Sequence, residues 1–243
     1  DKFKLEYVYS NFTTSPALIG FSGKYNMSPR MNLFVSVAHD GNQLTRLDEI
    51  YASRPQDVWT ATCEEVLLEY SEESGIPIND IANNCQNYYS DLESETPYGD
   101  AVDEITGISI GADYVLSESM SFYTEWAHLI GEIDGRDENG EVEKESLGHG
   151  IVLPGFIYRF ANGLFRAEYR QTLTQNFVFN YWDRSYDIER AIQVPSENTD
   201  EDDSYYTKKE KLYNYGTMGG LYAFISYDIL KIMNFGFGYQ NMK

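Results

Sequence analysis

Charged and uncharged residues alternate in one short stretch of this 243-residue chain. Arg166, Glu168 and Arg170 are separated by Ala167 and Tyr169. Because successive side chains of a β-strand point to opposite faces, the three charges would lie on one face of a strand. Such a row could form ion pairs in a closed interior, or it could line a narrow polar conduit whose arginines favour small anions.

The polar faces of other strand-like stretches add further charges. The full set of candidate interior charges is Lys4, Glu6, Lys24, Asp113, Glu125, Arg159, Arg166, Glu168 and Arg170. In a small β-barrel the interior is just wide enough for side chains, and an unpaired buried charge is costly. We therefore expect a salt-bridged network that keeps the interior closed, with the polar conduit as the alternative.

The three histidines lack the surroundings of a catalytic site. His128 is followed by Leu-Ile and His149 by Gly-Ile, so no serine stands beside either of them. His39 precedes Asp40 where a strand is predicted to end, which is typical of an interfacial or capping pair. The sequence predicts no catalytic residue, and the chain is not expected to be an enzyme.

Two acidic stretches are candidates for cation binding. Residues 134–143 contain an Asn-Gly pair, but an EF-hand alignment puts Gly135 at the first ligand position and Ser146 at the last, and neither fits. Residues 198–204 contain four carboxylates, which predicts a solvated loop, with a weak surface site for Ca²⁺ or Mg²⁺ as the alternative. Otherwise no metal site and no cofactor are predicted.

The two cysteines, Cys63 and Cys85, lie in the long connection 41–104. Residues 55–70 have helical spacing of apolar residues, and a second short helix is predicted at 79–89. One cysteine falls in each helix, so a disulfide is the simplest expectation for an exported protein. It would stabilise the insert by about 3 kcal/mol. Free thiols or a redox pair are the alternatives, although there is no Cys-x-x-Cys spacing.

The composition excludes several classes of protein. The 39 acidic and 18 basic residues give a net charge of −21, which cannot neutralise nucleic-acid phosphates. Aromatic residues make up 15% of the chain, which argues against disorder. No run of 18 apolar residues is present, so no transmembrane helix is expected. Because the chain begins at Asp1 without a signal-like segment, we expect a processed mature form or a fragment, with residues 1–243 as a single domain.

Period-2 alternation predicts nine strands. Their ranges are 3–10, 17–26, 31–38, 105–116, 119–131, 151–160, 164–173, 217–227 and 231–240. Short turns, the clearest being the Asn-Gly turn at 161–163, alternate with long acidic connections at 41–104, 132–148 and 174–214. Short turns at one end and long loops at the other are typical of an outer-membrane barrel.

The two faces of these strands differ in charge. Met233, Phe235 and Phe237 share a face that holds no ionised residue, and the same holds for the apolar faces of the first and third strands. A soluble barrel would bury such faces, whereas a membrane barrel turns them to the lipid and keeps the charges in its lumen. Small residues on the polar faces, among them Gly107 and Gly111, and aromatic residues at strand ends favour the membrane arrangement.

With these hairpins, such as 111–125 and 155–169, the sequence resembles the small outer-membrane β-barrels of Gram-negative bacteria, the OmpA/OmpX-like superfamily. The resemblance covers the strands and none of the long loops. It implies an architecture rather than an activity, because members are anchors, narrow pores, adhesins and occasionally enzymes. Bacterial single-chain barrels have an even number of strands. Nine strands therefore imply either an additional strand within 174–214 or a part of a larger barrel.

We expect an all-β fold, a transmembrane antiparallel up-and-down β-barrel of about 8–10 strands with an extracellular, disulfide-linked helical insert at 41–104. The expected location is the bacterial outer membrane, and the expected partners are membrane lipid and lipopolysaccharide. In an outer membrane, divalent cations bridge the phosphates of lipopolysaccharide. The expected function is a non-catalytic structural or surface-interaction role with a narrow polar pore. The alternatives are a porin or transporter for small solutes, an envelope-complex subunit that docks through 55–90, and a barrel enzyme acting on lipids.

Overall fold

The computed structural model describes residues 2–9, 18–47, 101–136, 142–183, 185–194, 204–229 and 233–243. The described strands are, in chain order, β1 (Phe3–Tyr9), β2 (Leu18–Asn26), β3 (Met31–Asp40), β4 (Ile105–Val115), β5 (Met120–Ile130), β6 (Glu132–Arg136), β7 (Val142–Ser146), β8 (His149–Phe160), β9 (Gly163–Thr172), β10 (Ala191–Val194), β11 (Ser204–Thr207), β12 (Gly219–Ile229) and β13 (Met233–Met242). A short helix α1 (Tyr186–Glu189) and a 3₁₀ helix (Glu210–Asn214) lie between the later strands. Among the described helices, none has the length and apolar character needed to cross a membrane.

Nine of these strands form one antiparallel main sheet. Its order is β1-β2-β3-β4-β5-β8-β9-β12-β13. All nine predicted strands are confirmed, with ends that differ from the prediction by at most two residues. Two small separate sheets, β6 with β7 and β10 with β11, lie within the longer connections. The alternation of apolar and polar residues locates the main strands because each of their faces has a single polarity.

The main sheet has two edges, β1 and β13, and the described residues show no pairing between them. The closure into a barrel that the sequence predicts is therefore not observed. The described part of 174–214 forms β10, β11 and the two short helices, and it adds no tenth strand to the main sheet. Because consecutive strands alternate in direction, β1 and β13 run the same way, and direct pairing between them would be parallel.

The main sheet is curled, so that strands far apart in its order face one another. Lys4 and Glu6 of β1 line a cavity of about 350 Å³ together with Arg159 of β8 and Arg166 of β9. We call the side that carries these residues the concave face and the opposite side the convex face. The end of the sheet that carries the long connections is called the loop end.

Glycines on the concave face make room for aromatic side chains. A Cβ atom at Gly111 would overlap the ring of Phe34, and a Cβ atom at Gly155 would overlap the ring of Tyr123. The small residues noted on the polar faces in the sequence thus have a steric reason, because rings from neighbouring strands lie across them. The concave face is therefore packed at these positions rather than open.

A β-bulge in β8 corrects the predicted faces of that strand. Simple alternation places Val152 with Pro154 on one face and Leu153 on the other. In the structure the pairing of β8 with β5 shifts between Val152 and Gly155, and the extra residue changes the phase of the alternation. Val152 is consequently buried on the concave side, 4% exposed, whereas Leu153 is 56% exposed on the convex side.

The predicted insert lies almost entirely outside the described residues, which stop at 47 and resume at 101. The two helices at 55–70 and 79–89 and the Cys63–Cys85 disulfide fall in that gap, so the structure gives them no support. Most of the acidic stretch 198–204 and the centre of the stretch 134–143 also lie outside the described residues.

Candidate functional site

The centre of the concave face is a buried carboxylate, Glu168 on β9. Its side chain is 3% exposed. Arg170 Nε donates a hydrogen bond to Oε2 at 2.5 Å, and the Tyr123 hydroxyl donates to Oε1. Arg166 Nε lies 3.2 Å from Oε1, within ion-pair distance but outside hydrogen-bond geometry. One carboxylate is therefore shared by two guanidinium groups and a phenol. We call these four residues the Glu168 network.

Arg170 connects this network to other elements. Its Nη1 donates to Asn180 Oδ1 at 3.3 Å and to Gln240 Oε1 of β13 at 3.2 Å. Its guanidinium group lies 3.7 Å from the centre of the Tyr222 ring on β12, a cation–π distance. Arg170 is thus buried with partners on three sides, as a charge in an interior requires.

Arg166 is the more accessible of the two arginines. Its side chain is 37% exposed and borders the 350 Å³ cavity, while Nη2 donates to the Tyr222 hydroxyl at 3.2 Å. Its guanidinium group also lies 5.9 Å from the centre of the Phe224 ring. Arg166 therefore presents positive charge to the cavity while the Glu168 network holds it in place.

The other predicted interior charges lie around the same cavity. Lys24 Nζ is 3.0 Å from Asp113 Oδ1, and Asn32 Nδ2 donates to Asp113 Oδ2 at 2.7 Å. Glu125 and Arg159 also line the cavity, and Glu125 is hydrogen-bonded to Ser109. The structure therefore places these charges on one face, where Lys24 and Asp113 form an ion pair that is separate from the Glu168 network.

Lys4 and Glu6 differ from the rest of the set. Their side chains form an ion pair of 2.6 Å, but they are 69% and 58% exposed. Both lie on the edge strand β1, where no further strand covers them among the described residues. This pair is accordingly a solvent-exposed one, of the kind that contributes little to stability.

An aromatic segment covers the concave face at the loop end. Residues 174–183, which we call the plug, place Phe177 and Trp182 against glycines of the sheet. A Cβ atom at Gly150 of β8 would meet the ring of Phe177, and one at Gly107 of β4 would overlap Trp182. The plug therefore reaches across the concave face from β4 to β8. Its buried rings belong to the largest apolar cluster of the described residues, Ile105, Leu129, Ile133, Leu147, Phe177, Tyr181, Tyr186 and Leu212.

Buried polar contacts hold the plug, and the short helix α1 that follows it, to the loop end of β3. Asp40, at the end of β3 and 0% exposed, accepts hydrogen bonds from the Tyr186 hydroxyl at 2.8 Å and from Arg190 Nη1 at 3.3 Å. The Tyr181 hydroxyl donates to Gln43 Oε1 at 2.8 Å. Burial raises the pKa of Tyr181 and of Tyr186, so both hydroxyls keep their protons and act as donors.

Neither the plug nor the role of Asp40 as the acceptor for Tyr186 and Arg190 was predicted from the sequence. Residues 174–214 read as an acidic connection or a missing strand because the spacing by two of aromatic residues in the plug is confined to 177–181. The available signal is the density of aromatic residues in Phe-Val-Phe-Asn-Tyr-Trp at 177–182. Four aromatic residues in a loop that faced only solvent would expose a large apolar area.

The histidines lie on the convex face near the loop end. His128 of β5 is directly opposite His149 of β8, with ring centres 5.6 Å apart, and the Trp126 ring lies 5.7 Å from that of His128. His39 Nδ1 lies 2.9 Å from Thr106 Oγ1. Within the described residues there is no group of three or more His, Cys, Asp or Glu side chains arranged to hold a metal ion.

Comparison with known proteins gives one distant structural likeness. No protein family matches the chain, and no curated protein matches it in sequence. A solved structure, the TodX deltaS2S3 mutant monoaromatic hydrocarbon channel, is similar with 11% sequence identity and a TM-score of 0.32. The likeness covers 99% of this chain and 56% of that channel, so the chain spans little more than half of its length. At this level of similarity the described residues themselves establish the architecture, a curled antiparallel sheet with charges on its concave face.

Proposed function

We propose that this chain is an outer-membrane protein whose main sheet spans the bilayer, with the convex face against lipid and the concave face turned inward. Its role is structural or that of a surface-interaction protein, without catalysis. One observation carries the proposal: the distribution of polarity over the main sheet is the reverse of that in a soluble barrel.

The reversal is visible in the exposure of individual side chains. Glu168 and Arg170 are 3% and 4% exposed on the concave face, whereas Phe235 and Phe237 are 56% and 69% exposed on the convex face. Large apolar side chains are exposed along the convex face from β1 to β13, the farthest strands of the sheet. In water a continuous apolar surface of this kind favours association, whereas in a bilayer it contacts hydrocarbon.

Two features support a closed rather than an open interior. The Glu168 network joins β5 and β9 directly, and Arg170 extends it to β12 and β13. The plug covers the loop end above it, with Asn180 accepting a hydrogen bond from Arg170. The 350 Å³ cavity lies on the other side of the network, near the short turns. This arrangement favours a rigid, plugged lumen over a continuous conduit.

The membrane location implies lipid and lipopolysaccharide as partners. Trp126, His128 and His149 stack on the convex face near the loop end, where aromatic and amphipathic rings meet lipid headgroups in membrane proteins. The acidic connections at the same end would associate with lipopolysaccharide through Ca²⁺ or Mg²⁺ ions that bridge carboxylates and phosphates. This cation contact is part of the proposal and needs no dedicated metal site.

Replacing Tyr169 with Arg tests the orientation of the convex face. Tyr169 is 43% exposed on the convex face near the middle of β9. If lipid lies against it, an arginine there should lower the free energy of unfolding from bilayers by about 2–4 kcal/mol, because a charge on the lipid face is destabilising. The measurement is urea-dependent folding into phospholipid vesicles, followed by circular dichroism.

The matched control is Ser22→Arg on the concave face. Ser22 pairs with Glu6 across β1 and β2, so an arginine there has a carboxylate beside it and stays out of the lipid. We expect this variant to fold into vesicles with nearly the stability of the natural protein. Equal tolerance of the two arginines would contradict the proposed orientation.

A further inference from the structure

A second cavity lies between the plug and the concave face. Its volume is about 210 Å³, and its lining includes Phe177, Phe179, Tyr181 and Trp182 of the plug. The opposite wall consists largely of small residues of β3, β4 and β5, among them Gly107. It is separate from the larger cavity near the turns, and we call it the plug cavity.

The plug cavity has one polar group without a partner. Trp182 Nε1 is buried and makes no hydrogen bond with any described residue. The other polar side chains of the lining have partners: Tyr181 donates to Gln43, Ser36 to Ser22, and Glu125 is bonded to Ser109. Buried donors without an acceptor are rare in folded proteins, and each one calls for an explanation.

Water explains this donor less well than an organic molecule does. One water molecule could accept from this donor, but it would leave most of the plug cavity empty, and that remaining part is lined by aromatic and aliphatic carbon. An apolar cavity of about 150 Å³ is already large enough to bind benzene. The plug cavity exceeds that volume, so it has space for one six-membered ring and a small polar substituent.

We infer that the plug cavity binds a small neutral molecule with an apolar body of about six carbon atoms and one hydroxyl group. The hydroxyl oxygen accepts the hydrogen bond from Trp182 Nε1, and the hydroxyl proton is available to the Ser109–Glu125 pair. The aromatic side chains of the plug contact the carbon body. A charged ligand is disfavoured because the cavity offers no cation and its one carboxylate is already hydrogen-bonded. This site goes beyond the proposed membrane role and does not depend on it.

Phenol is the probe for this site, with benzene as the comparison, and binding is measured by isothermal titration calorimetry on the folded chain in one detergent. The natural protein should bind phenol saturably and more tightly than benzene. Trp182→Phe keeps an aromatic ring but removes the donor, so phenol affinity should fall about tenfold, equivalent to 1.4 kcal/mol, while benzene affinity stays the same.

Two leucine variants distinguish binding of the probes in the plug cavity from their nonspecific partitioning into the detergent. Ser36→Leu fills the cavity and should abolish binding of both probes. Ser226→Leu places the same residue on the concave side of β12, outside the cavity, and should leave both affinities unchanged. Circular dichroism confirms that each variant is folded.

Three results would overturn the inference. Absence of saturable phenol binding would mean that the cavity holds water only. Phenol binding that survives Ser36→Leu would lie elsewhere on the protein. Phenol binding unchanged by Trp182→Phe would show that the indole donor has no role. None of these results bears on the convex face, which the vesicle-folding experiment tests separately.

Discussion

Replacement of Glu168 by alanine is expected to lower the free energy of unfolding by about 3–5 kcal/mol. The change removes the carboxylate that Arg170, Arg166 and Tyr123 share, and it leaves the guanidinium group of Arg170 buried without a counter-charge. An unpaired buried charge cannot be rehydrated without opening the fold, so the whole desolvation cost appears as lost stability. The measurement is urea unfolding of the natural and variant proteins in vesicles of the same lipid.

The control for this result is Glu6→Ala on β1. Glu6 also pairs with a cation, Lys4, at 2.6 Å, but both side chains are more than half exposed. Loss of an exposed pair should cost at most about 1 kcal/mol, because water replaces the missing partner. Similar losses for Glu168→Ala and Glu6→Ala would contradict the view that the Glu168 network is a buried one.

A double variant separates the loss of charge pairing from the loss of packing. Glu168→Leu combined with Arg170→Met removes the carboxylate and the most buried cation together, and both new side chains are apolar. Replacement of a buried ion pair by apolar residues of similar size is often close to neutral. We expect the double variant to be more stable than Glu168→Ala. If it is less stable, the hydrogen bonds from Arg170 to Asn180 and Gln240 matter more than the ion pair.

The main strands were predictable because the sequence encodes their faces locally. Alternation needs only neighbouring residues, and nearly every main strand keeps one polarity on each side. The same rule fails in β8, where the bulge between Val152 and Gly155 inserts one residue and reverses the phase. The local signal for this bulge is Pro154 followed by Gly155, since proline inside a central strand is largely confined to bulges, and simple alternation does not take it into account.

The partners within the candidate site were less predictable than its charges. Alternation puts Arg166, Glu168 and Arg170 on one face, and the structure agrees with that placement. Tyr123 is 45 residues from Glu168 in sequence, and Gln240 is 70 residues from Arg170. Their contacts with these charges therefore depend on the register of the strands and on the curl of the sheet. Long-range contacts of this kind follow from the assembled sheet and not from any single segment.

The plug was missed for a related reason. The spacing by two of Phe177, Phe179 and Tyr181 extends over only five residues, and the positions of the plug rings are set by glycines far away in sequence, Gly107 on β4 and Gly150 on β8. A glycine in a strand often marks the close approach of another group, which is the only sequence-level hint available. The number of strands, in contrast, was predicted from the sequence. The described main sheet contains the nine predicted strands and has β1 and β13 as its edges.

Removal of the plug aromatics is expected to turn a silent protein into a conducting one. The natural protein should give no steady current in a planar bilayer, since the plug and the Glu168 network block the concave side. The triple variant Phe177→Ala, Tyr181→Ala, Trp182→Ala removes three rings from the loop end. Loss of one fully buried ring lowers the free energy of unfolding by about 3–5 kcal/mol. Steady conductance should then appear, provided that circular dichroism shows the variant to be folded.

Two further variants make the conductance result specific. Trp126→Ala removes an indole from the convex face and should leave the bilayer silent, because that side chain does not reach the concave face. Adding Arg166→Gln to the triple variant should reduce the preference for anions, because Arg166 is a partly exposed cation that lines the 350 Å³ cavity next to the Glu168 network. If the natural protein conducts as well as the triple variant, the interior is an open pore and the plug does not close it. If the folded triple variant stays silent, the Glu168 network is sufficient by itself to close the interior, and the plug serves to hold the loop end together through the bond from Tyr181 to Gln43.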